Sequence, residues 1–555
     1  MCGRALIFWL AWACLAQFAA RAEIWKNGAV ATVHPLATDA AIEAVQNGGN
    51  AVDAAVAAAL TLGVVDGHNS GIGGGCFFLV RTSRGSIVAL DGREMAPGKA
   101  TRDMFVRDGK AAPELSQTGA LAIGVPGSLA VYDYAQRHFG KLKLRDVMTP
   151  SARLAKNGFA IDRSYAARLA QTADDLGKFE ESRRIFFKNG NLYKAGELLK
   201  QPDLARSYEL IAEQGIDWFY RGEFPGRVEE WMRSNGGVVR AGDFKDYKIE
   251  IREAIRSRYR GYEIIGFPPP SSGGVHVAQI LNILSTFDLG KYPAYSTDPI
   301  HIIAEAMKLA FADRAFWLGD PDFVRVPRAL ISKEYANALA ERIDLDRAAK
   351  VEAHGPADEF GTASFGKHTT HFSVADAEGN WVACTTTLNT SFGSKVVIPG
   401  TGIIMNNQMD DFSAEPGVPN YFGLVGAAAN AVAPGKRPLS SMSPTIVMKN
   451  GKPVLSLGAA GGPTIISQTI VNLINIIDHG MNLDQALAAP RIHHQWRPDR
   501  LQTEPLPAAV AEGLQKRGHP IDLVRRFGAS QIVFQDEEGF RAAHDPRLDG
   551  KAAGW

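Results

Sequence analysis

The sequence predicts an α+β fold, with helices dominating the chain up to residue 345 and strands concentrated after residue 369. Residues 128–345 show mainly the apolar spacing of helices, interrupted by Gly and Pro. After residue 369, short runs with strand composition alternate with turn residues. Because helices and sheets each have an apolar face to bury, this mixture predicts strands packed between helices.

The composition is that of an ordinary globular protein. Of 555 residues, 46% are hydrophobic and 21% are charged, which is ample material for a large core. The 60 basic and 59 acidic residues leave a net charge of +1, which predicts no nucleic-acid partner. No run of 18 or more apolar residues follows the N-terminal segment, so no membrane span is expected in the mature protein.

The first 22 residues have the pattern of a secretory signal peptide. Arg4 provides the positive start, residues 5–16 are apolar but too short to cross a membrane, and A-R-A at residues 20–22 fits the cleavage rule. The mature chain is therefore expected to begin at residue 23 and to be periplasmic or secreted. A retained signal anchor is the alternative.

Two helices and a strand are expected near the start of the mature chain. The first helix covers about residues 38–46, and Asn50 with Asp53 opens the second as a capping box. The glycine run at residues 71–75 leads into a strand at residues 76–80. This run lacks the Lys-Ser/Thr ending of a phosphate loop and follows a helix, so it is predicted to be a turn with close backbone packing.

Three later segments have a clear local pattern. Residues 301–317 have the apolar spacing of an amphipathic helix. The stretch P-P-P-S-S-G-G at residues 268–274 predicts a rigid loop, and its Ser272 lacks the G-x-S-x-G context of a serine hydrolase. Residues 350–367 are polar and rich in Gly and Ala, which predicts an exposed tail.

Cysteine and histidine usage predicts no metal and no other cofactor. Cys76 and Cys384 lie in predicted strands and are expected to be buried thiols, with a disulfide as the alternative. The adjacent His493 and His494 have no acidic or Cys companion at metal-ligand spacing.

One stretch predicts a β-hairpin with threonines at its open end. Residues 370–375 and 381–387 have strand composition and flank the turn D-A-E-G-N. With Glu378 at the centre of the turn, Thr369 lies opposite Thr387, about 5 Å away across the strands. A Thr hydroxyl is a nucleophile when its own freed α-amine acts as base. The alternative is an ordinary hairpin, because Thr favours strands.

Several motifs, in order along the chain, resemble those of the γ-glutamyltransferase (γ-glutamyltranspeptidase) family of N-terminal nucleophile hydrolases. They are D-G-R-E-M-A-P at 91–97, the hairpin that begins T-T-H-F-S at 369, T-G-I-I-M-N-N-Q-M-D-D-F-S at 401–413, R-P-L-S-S-M-S-P-T at 437–445 and G-A-A-G-G-P at 458–463. The resemblance runs from about residue 28 to the end. It implies a four-layer αββα sandwich that two autocleaved pieces, residues 23–368 and 369–555, form jointly.

The resemblance also implies a nucleophile and a cleavage site. Autoproteolysis would fall between His368 and Thr369, which leaves Thr369 with both the hydroxyl and the α-amine. Thr370 is the rival nucleophile, but strand alternation turns its side chain to the opposite face of the sheet. Thr387 is expected to donate a hydrogen bond to the Thr369 oxygen or to steady its amine, with simple strand packing as its alternative.

The same resemblance implies an oxyanion site and a lid. Gly461 and Gly462 precede a predicted helix, where backbone N–H groups can hold an oxyanion close to the bound donor. A plain turn is the alternative. Residues 411–423 resemble the start of the lid loop of many bacterial members, in which a Tyr is common where this chain has Phe422 beside Tyr421.

A γ-glutamyl group carries an α-carboxylate and an α-ammonium, so its pocket needs both charges. By resemblance, Arg93 grips the carboxylate and Asp411 pairs with the ammonium, with serine hydroxyls and amide side chains beside them. Asp410 is expected to be structural, and the alternative for Arg93 is a surface ion pair with Asp91 or Glu94. The expected substrate-binding residues are Arg93, Thr387, Asn389, Gln408, Asp411, Ser440, Ser441 and Gly462.

The resemblance implies a γ-glutamyltransferase and glutathione hydrolase. A γ-glutamyl–Thr369 ester would form from glutathione or a related donor and pass its acyl group to water or to the amine of an amino acid or dipeptide. The two pieces of the precursor would stay associated as large and small subunits. The alternatives are a cephalosporin or glutaryl acylase of the same superfamily, whose substrates lack the α-amino group, and an inactive binding homologue.

Overall fold

The computed structural model describes residues 23–361, 363 and 373–555. The predicted signal peptide at residues 1–22, the cleavage bond between His368 and Thr369, and the rival Thr370 lie outside the described residues. Two large antiparallel sheets form the centre of the described chain, and each contains strands from both sides of residue 369.

The first sheet has seven strands and the second has six. In order across the first sheet, the strands are Glu250–Arg252, Ile87–Gly92, Gly75–Arg81, Trp381–Thr387, Ser373–Asp376, Gly28–Thr32 and Lys551–Gly554. Across the second sheet, they are Ile255–Tyr259, Tyr262–Gly266, Thr445–Lys449, Lys452–Ala460, Ala529–Gln535 and Phe540–His544.

Side-chain alternation along the first sheet separates two cores. In Gly75–Arg81, Phe78 and Val80 pack into a core with the helices, whereas Leu79 belongs to a core shared with Ile446 and Val533 of the second sheet. The two sheets therefore pack face to face, and helices cover their outer faces. The predicted mixture of strands packed between helices is confirmed.

Helices of the first layer contact the first sheet or pack behind it. They are Pro35–Gln46, Ala51–Val65, Ser128–Phe139, Leu144–Asn157 and Pro202–Gln214. The layer on the second sheet comprises Gly273–Leu284, Thr464–Ile477 and, behind them, Thr297–Trp317 and Lys333–Ala340.

Shorter elements connect these layers. The short helices are Glu114–Gln117, Arg163–Gln171, Ala173–Leu176, Glu180–Phe186, Asp217–Tyr220, Glu223–Ser234, Ala241–Asp246, Leu483–Ala488 and Ala508–Lys516. The short strands are Val106–Arg107, Lys110–Ala111, Phe159–Ala160, Phe187–Lys188, Asn191–Leu192, Leu198–Leu199, Ile492–His493, Leu501–Thr503 and Ile521–Leu523.

The capping box that opens Ala51–Val65 is confirmed. The Asn50 side-chain oxygen accepts from the Val52 N–H at 2.8 Å, and the Asp53 carboxylate accepts from the Asn50 N–H at 2.7 Å. These contacts satisfy donors that the first turn of a helix leaves free.

The predicted register of the hairpin is confirmed wherever the structure describes it. Ser373 pairs with Ala383, and Ala375 pairs with Trp381, so the turn is centred on Glu378. On its other side, the strand Trp381–Thr387 pairs with Gly75–Arg81. Thr387 therefore ends a central strand of the first sheet.

The glycine run before the strand Gly75–Arg81 allows close backbone approach, as predicted. A Cβ atom on Gly73 would lie 2.0 Å from the Ile404 carbonyl oxygen, and one on Gly74 would lie 2.0 Å from that of Thr387. The turn therefore brings two distant segments against the start of the strand.

One local prediction is wrong, and another holds only in part. The helix Thr297–Trp317 is not amphipathic, because its side chains are buried on every face from Pro299 to Arg314. The described part of the predicted exposed tail, residues 350–361, is partly buried at Val351 and Ala357. Both differences arise because other layers of the fold cover these segments. The local sequence pattern does not show which faces such neighbours will cover.

Cys76 and Cys384 are both buried thiols rather than a disulfide, so that prediction is confirmed. Within the described ranges, no helix combines the length and the apolar character that crossing a membrane requires.

Candidate active site

A cavity of about 500 Å³ opens where the ends of both sheets meet the loops around residues 408–442. It brings together every predicted catalytic, substrate-binding and lid residue that the structure describes. These residues are Arg93, Thr387, Asn389, Gln408, Asp411, Tyr421, Phe422, Ser440, Ser441, Gly461 and Gly462. The predicted cleavage residues His368 and Thr369 lie outside the described residues.

Arg93 follows the strand Ile87–Gly92 and is completely buried. Its Nη2 lies 2.5 Å from Asp411 Oδ2, and its Nε donates to the Pro438 carbonyl at 3.0 Å. The alternative of a surface ion pair with Asp91 or Glu94 is wrong as to the surface, because Arg93 is buried and its contact with Glu94, at 3.6 Å, is buried too. The Asp91 carboxylate pairs with Arg252 and Arg437 instead.

Asp411 lies at the end of a short 3₁₀ turn, Gln408–Asp411. Besides Arg93, the Gln408 amide donates to Asp411 Oδ2 at 2.6 Å. The cavity thus contains a guanidinium and a carboxylate side by side, each oriented by a second group. Such a pair can exchange partners with a ligand that carries both charges.

Asp410 points away from this pair. Its carboxylate accepts from the Ser116 hydroxyl at 2.7 Å and from the Tyr421 N–H at 3.0 Å, and burial raises its pKa. These contacts agree with the structural role expected for Asp410, which here includes anchoring the lid segment.

The end of the strand Trp381–Thr387 presents a hydroxyl to the cavity. Thr387 Oγ1 accepts from the Asn389 N–H at 2.7 Å, in a turn that holds Asn389 at a positive φ of 82°. Because this oxygen already accepts one hydrogen bond, the Thr387 hydroxyl proton can be donated to another group. The Asn389 amide in turn donates to the Asn407 carbonyl at 3.0 Å.

Gly461 and Gly462 connect the strand Lys452–Ala460 to the helix Thr464–Ile477. Both have positive φ, 135° and 59°, which favours glycine. A Cβ on Gly462 would lie 2.6 Å from the Phe422 ring, so the lid packs directly on this turn.

The lid segment is held near its C-terminal end. The Asn420 side-chain oxygen accepts from the Phe422 and Leu424 N–H groups, each at 3.1 Å. The Gln495 amide donates to the Phe422 carbonyl at 3.3 Å and to that of Gly423 at 3.1 Å. The Tyr421 side chain, in contrast, is 57% exposed.

Two further buried charged residues lie near Arg93: Glu94, which the sequence suggested only as a surface partner, and Arg314, which was not predicted. Glu94 lies with Oε2 3.6 Å from Arg93 Nη1, and burial raises its pKa to about 7. Arg314 lines the cavity and donates to Ser441 Oγ at 3.0 Å. The sequence could have indicated Arg314 as a buried charge, because it follows the mostly apolar stretch M-K-L-A-F-A-D at residues 307–313.

One buried group of possible metal ligands lies elsewhere. His301, Glu305 and His519 have ligand atoms within 4.8 Å of one another. The two imidazoles are hydrogen-bonded to each other at 2.7 Å, and the Lys308 ammonium donates to Glu305 at 2.7 Å. The Lys308 ammonium thus already gives Glu305 a cation from the chain itself, and the three residues do not belong to the cavity lining.

Comparisons with known proteins agree with this arrangement. The gamma-glutamyltranspeptidase family matches residues 37–555. The glutathione hydrolase proenzyme of Escherichia coli (strain K12) is 45% identical over 536 residues, 96% of this chain and 92% of that protein. The acylase ACY 1 proenzyme of Pseudomonas sp. (strain SE83) is 38% identical over 537 residues, 95% of this chain and 93% of that protein.

The fold is also that of a solved structure. Cephalosporin acylase from Bacillus halodurans matches with a TM-score of 0.86 at 30% identity, covering 97% of this chain and 98% of that one. The family match includes every described residue of the cavity lining. The chain belongs to the gamma-glutamyltranspeptidase family.

Proposed function

We propose that this chain is a γ-glutamyltransferase and glutathione hydrolase. It cleaves the γ-glutamyl amide of glutathione and related compounds and transfers the γ-glutamyl group to water or to the amine of an amino acid or dipeptide. The observation that carries this proposal is the Arg93–Asp411 pair in the cavity, at 2.5 Å. A γ-glutamyl donor has an α-carboxylate and an α-ammonium on one carbon, and this pair offers the matching charges.

The chain matures by cutting itself between His368 and Thr369. The Thr369 hydroxyl attacks the His368 carbonyl carbon, the peptide C–N bond breaks to leave an ester, and water then opens the ester. The products are a large subunit, residues 23–368, and a small subunit that begins at Thr369. The sheets support this scheme, because strands from both pieces interleave in each sheet and would keep the subunits together as one αββα sandwich.

Catalysis uses the new N-terminus. An α-amine has an ordinary pKa of about 7.7–8.0, so it can take the Thr369 hydroxyl proton near neutral pH. The hydroxyl oxygen attacks the γ-carbonyl carbon, and the N–H groups of Gly461 and Gly462 stabilise the resulting oxyanion. Collapse of this intermediate breaks the amide bond, and the leaving amine takes the proton from the Thr369 ammonium. The Thr387 hydroxyl keeps its proton and donates a hydrogen bond to the Thr369 oxygen.

The γ-glutamyl–Thr369 ester is then opened by a second nucleophile. Water gives hydrolysis, and an acceptor amine gives transpeptidation. Throughout, Arg93 with Ser440 and Ser441 binds the α-carboxylate, while Asp411 binds the α-ammonium. Asn389 and Gln408 orient these groups, and Tyr421 and Phe422 cover the site.

The predicted signal peptide supports a periplasmic or secreted location. Its removal at residue 23 is separate from the autoproteolytic step. Export would give the enzyme access to γ-glutamyl compounds outside the cytoplasm.

A cephalosporin or glutaryl acylase is the second candidate, favoured by the acylase names of the Pseudomonas relative and the Bacillus halodurans structure. Substrates of such acylases lack the α-ammonium, which would leave Asp411 paired with Arg93 alone. Comparing γ-glutamyl and glutaryl amides of the same amine decides between the two. A preference for the glutaryl amide would replace our proposal with the acylase function.

The proposal is tested by intact mass and N-terminal sequencing of the purified protein beside Thr369→Ala and Thr370→Ala. We expect wild type and Thr370→Ala to give two fragments, the smaller starting at residue 369, and Thr369→Ala to stay uncut. Cleaved protein should then release the amine from γ-glutamyl amides. An uncut wild-type chain would contradict the maturation scheme and favour an inactive binding homologue.

A further inference from the structure

Arg314 is a buried cation at the wall of the proposed γ-glutamyl site. It lies near the end of the helix Thr297–Trp317 and is 5% exposed. Its Nη2 donates to Ser441 Oγ and its Nε donates to Ser272 Oγ, each at 3.0 Å. Both contacts are hydroxyls rather than carboxylates, and burial lowers the pKa of Arg314 to about 10. Its two hydrogen-bond partners are therefore neutral, and the charge of Asp411 acts on it electrostatically rather than through either of these hydrogen bonds.

Ser272 connects Arg314 to the backbone of the serine pair. The Ser272 hydroxyl donates to the Ser440 carbonyl at 2.7 Å, and its backbone N–H donates to the same oxygen at 2.8 Å. From the same loop, the Ser271 hydroxyl donates to the Met442 carbonyl at 2.6 Å. The P-P-P-S-S-G-G loop thus binds the backbone of residues 440–442. The proposed reaction does not otherwise use this loop.

These contacts fix the direction of the Ser441 hydroxyl. A guanidinium only donates hydrogen bonds, so Ser441 Oγ must accept from Arg314. The Ser441 proton is then turned away from Arg314 and is available to an anion in the cavity. The charge of Arg314 also interacts with those of Asp411 and Arg93, which places it at the same end of the cavity.

We propose that Arg314 is a positioning residue for the α-carboxylate of the donor. It holds the Ser441 hydroxyl as a donor toward that carboxylate, and with Ser272 it fixes the backbone that presents Ser440 and Ser441. This inference rests on the proposed function, since it assigns a role at the same site.

The test compares two donors that differ only in the α-substituent, a γ-glutamyl anilide and its α-carboxamide analogue. The ratio of their kcat/KM values measures recognition of the carboxylate in the wild type, Arg314→Gln, Ser441→Ala and the double variant. Kinetics are normalised to the amount of cleaved enzyme. A merely structural role would change both donors alike and leave the ratio unchanged.

We expect Arg314→Gln to raise KM for the carboxylate donor about 10-fold or more, with a smaller change in kcat, because a hydrogen bond to a charged group is weakened. The carboxylate-to-carboxamide ratio should fall in parallel. In the Ser441→Ala background, Arg314→Gln should change this ratio by less than about 3-fold, because the two residues act as a unit.

Additive effects in the double variant, or an unchanged ratio in Arg314→Gln, would overturn the inference. If Arg314→Gln does not fold, Arg314→Lys replaces it in the cycle, since Lys keeps the charge but lacks the fork that reaches two hydroxyls at once. A wild-type enzyme that cleaves no γ-glutamyl donor would instead contradict the proposed function itself.

Discussion

Arg93 and Asp411 form a buried ion pair across 318 positions of sequence, with 2.5 Å between Nη2 and Oδ2. Arg93 is fully buried and Asp411 is 11% exposed, and a close partner offsets the cost of removing such charges from water. A bound α-amino acid group can replace the pair by giving Arg93 a carboxylate and Asp411 an ammonium. The pair therefore stabilises this part of the site and offers the charges that recognise the donor in the proposed function.

Single substitutions of this pair should cost more stability than the double substitution. Arg93→Met removes the cation beside both Asp411 and Glu94, and Asp411→Asn leaves Arg93 with the more distant Glu94 at 3.6 Å. Each is expected to lower the free energy of unfolding by about 3–5 kcal/mol. Arg93→Met/Asp411→Asn should lose less than the sum of the two. Thermal and denaturant unfolding measure this, with the exposed pair of Arg221 and Asp217 as the control, where Arg221→Met should have little effect. Strict additivity would contradict the prediction.

Arg93→Lys should separate charge from geometry. Lys keeps the positive charge but cannot hold the Pro438 carbonyl and Asp411 with one planar fork. We expect KM for a γ-glutamyl anilide to rise about 10-fold or more, while autocleavage proceeds. Steady-state kinetics on the cleaved protein provide the measurement, and an unchanged KM would argue against carboxylate binding by Arg93.

Glu94 should make stability depend on pH below neutrality. Burial raises its pKa from 4.5 to about 7, so the folded chain holds this proton more tightly than the unfolded chain. Its contribution to stability therefore falls as pH rises from about 4.5 to about 7 and is level above that. Glu94→Gln should remove this slope. The free energy of unfolding is measured at pH 5 and pH 8, with Glu359→Gln, at an exposed position, as the control. The same pH dependence in wild type and Glu94→Gln would exclude the effect.

Gly462→Ala should disturb the lid and the proposed oxyanion site together. The new Cβ would lie 2.6 Å from the Phe422 ring, at a backbone φ of 59°. We expect kcat to fall by about 100-fold, the scale of losing an oxyanion donor. Gly451→Ala is the matched control. Gly451 has a φ of 76°, and a Cβ atom there would have nothing within 4 Å, so this substitution strains the backbone without a steric clash. Equal activity of the two variants would refute the prediction.

The segment before the proposed cleavage site should stay attached after maturation. The Trp496 indole donates to the Val351 carbonyl at 2.8 Å, and the Trp317 indole donates to the Gly355 carbonyl at 3.1 Å. Trp496→Phe removes the first contact and should speed tryptic cleavage at Lys350. Limited proteolysis with mass spectrometry follows this, with Trp231→Phe as the remote control. Equal cleavage rates would mean that the indole contact does not retain the segment.

Much of the fold could be predicted because its signals are local. The Asn50 capping box and the hairpin register around Glu378 each depend on residues within a few positions of one another. Strand alternation and turn chemistry determine such features without help from the rest of the chain. The helix Thr297–Trp317 ends where the sequence predicts but begins four residues earlier, and its burial on every face depends on neighbours from distant segments.

By itself, the sequence determined the residue types of the candidate site and, through the resemblance, which of them belong together. Only the tertiary structure decided their partners: that Arg93 pairs with Asp411 rather than Asp91, that Glu94 is buried beside it, and that Arg314 joins Ser272 to Ser441. The physical reason is that ion pairing and desolvation act over a few ångströms in space. The positions of two residues in the sequence do not give the distance between them, which is set only when the two sheets pack together.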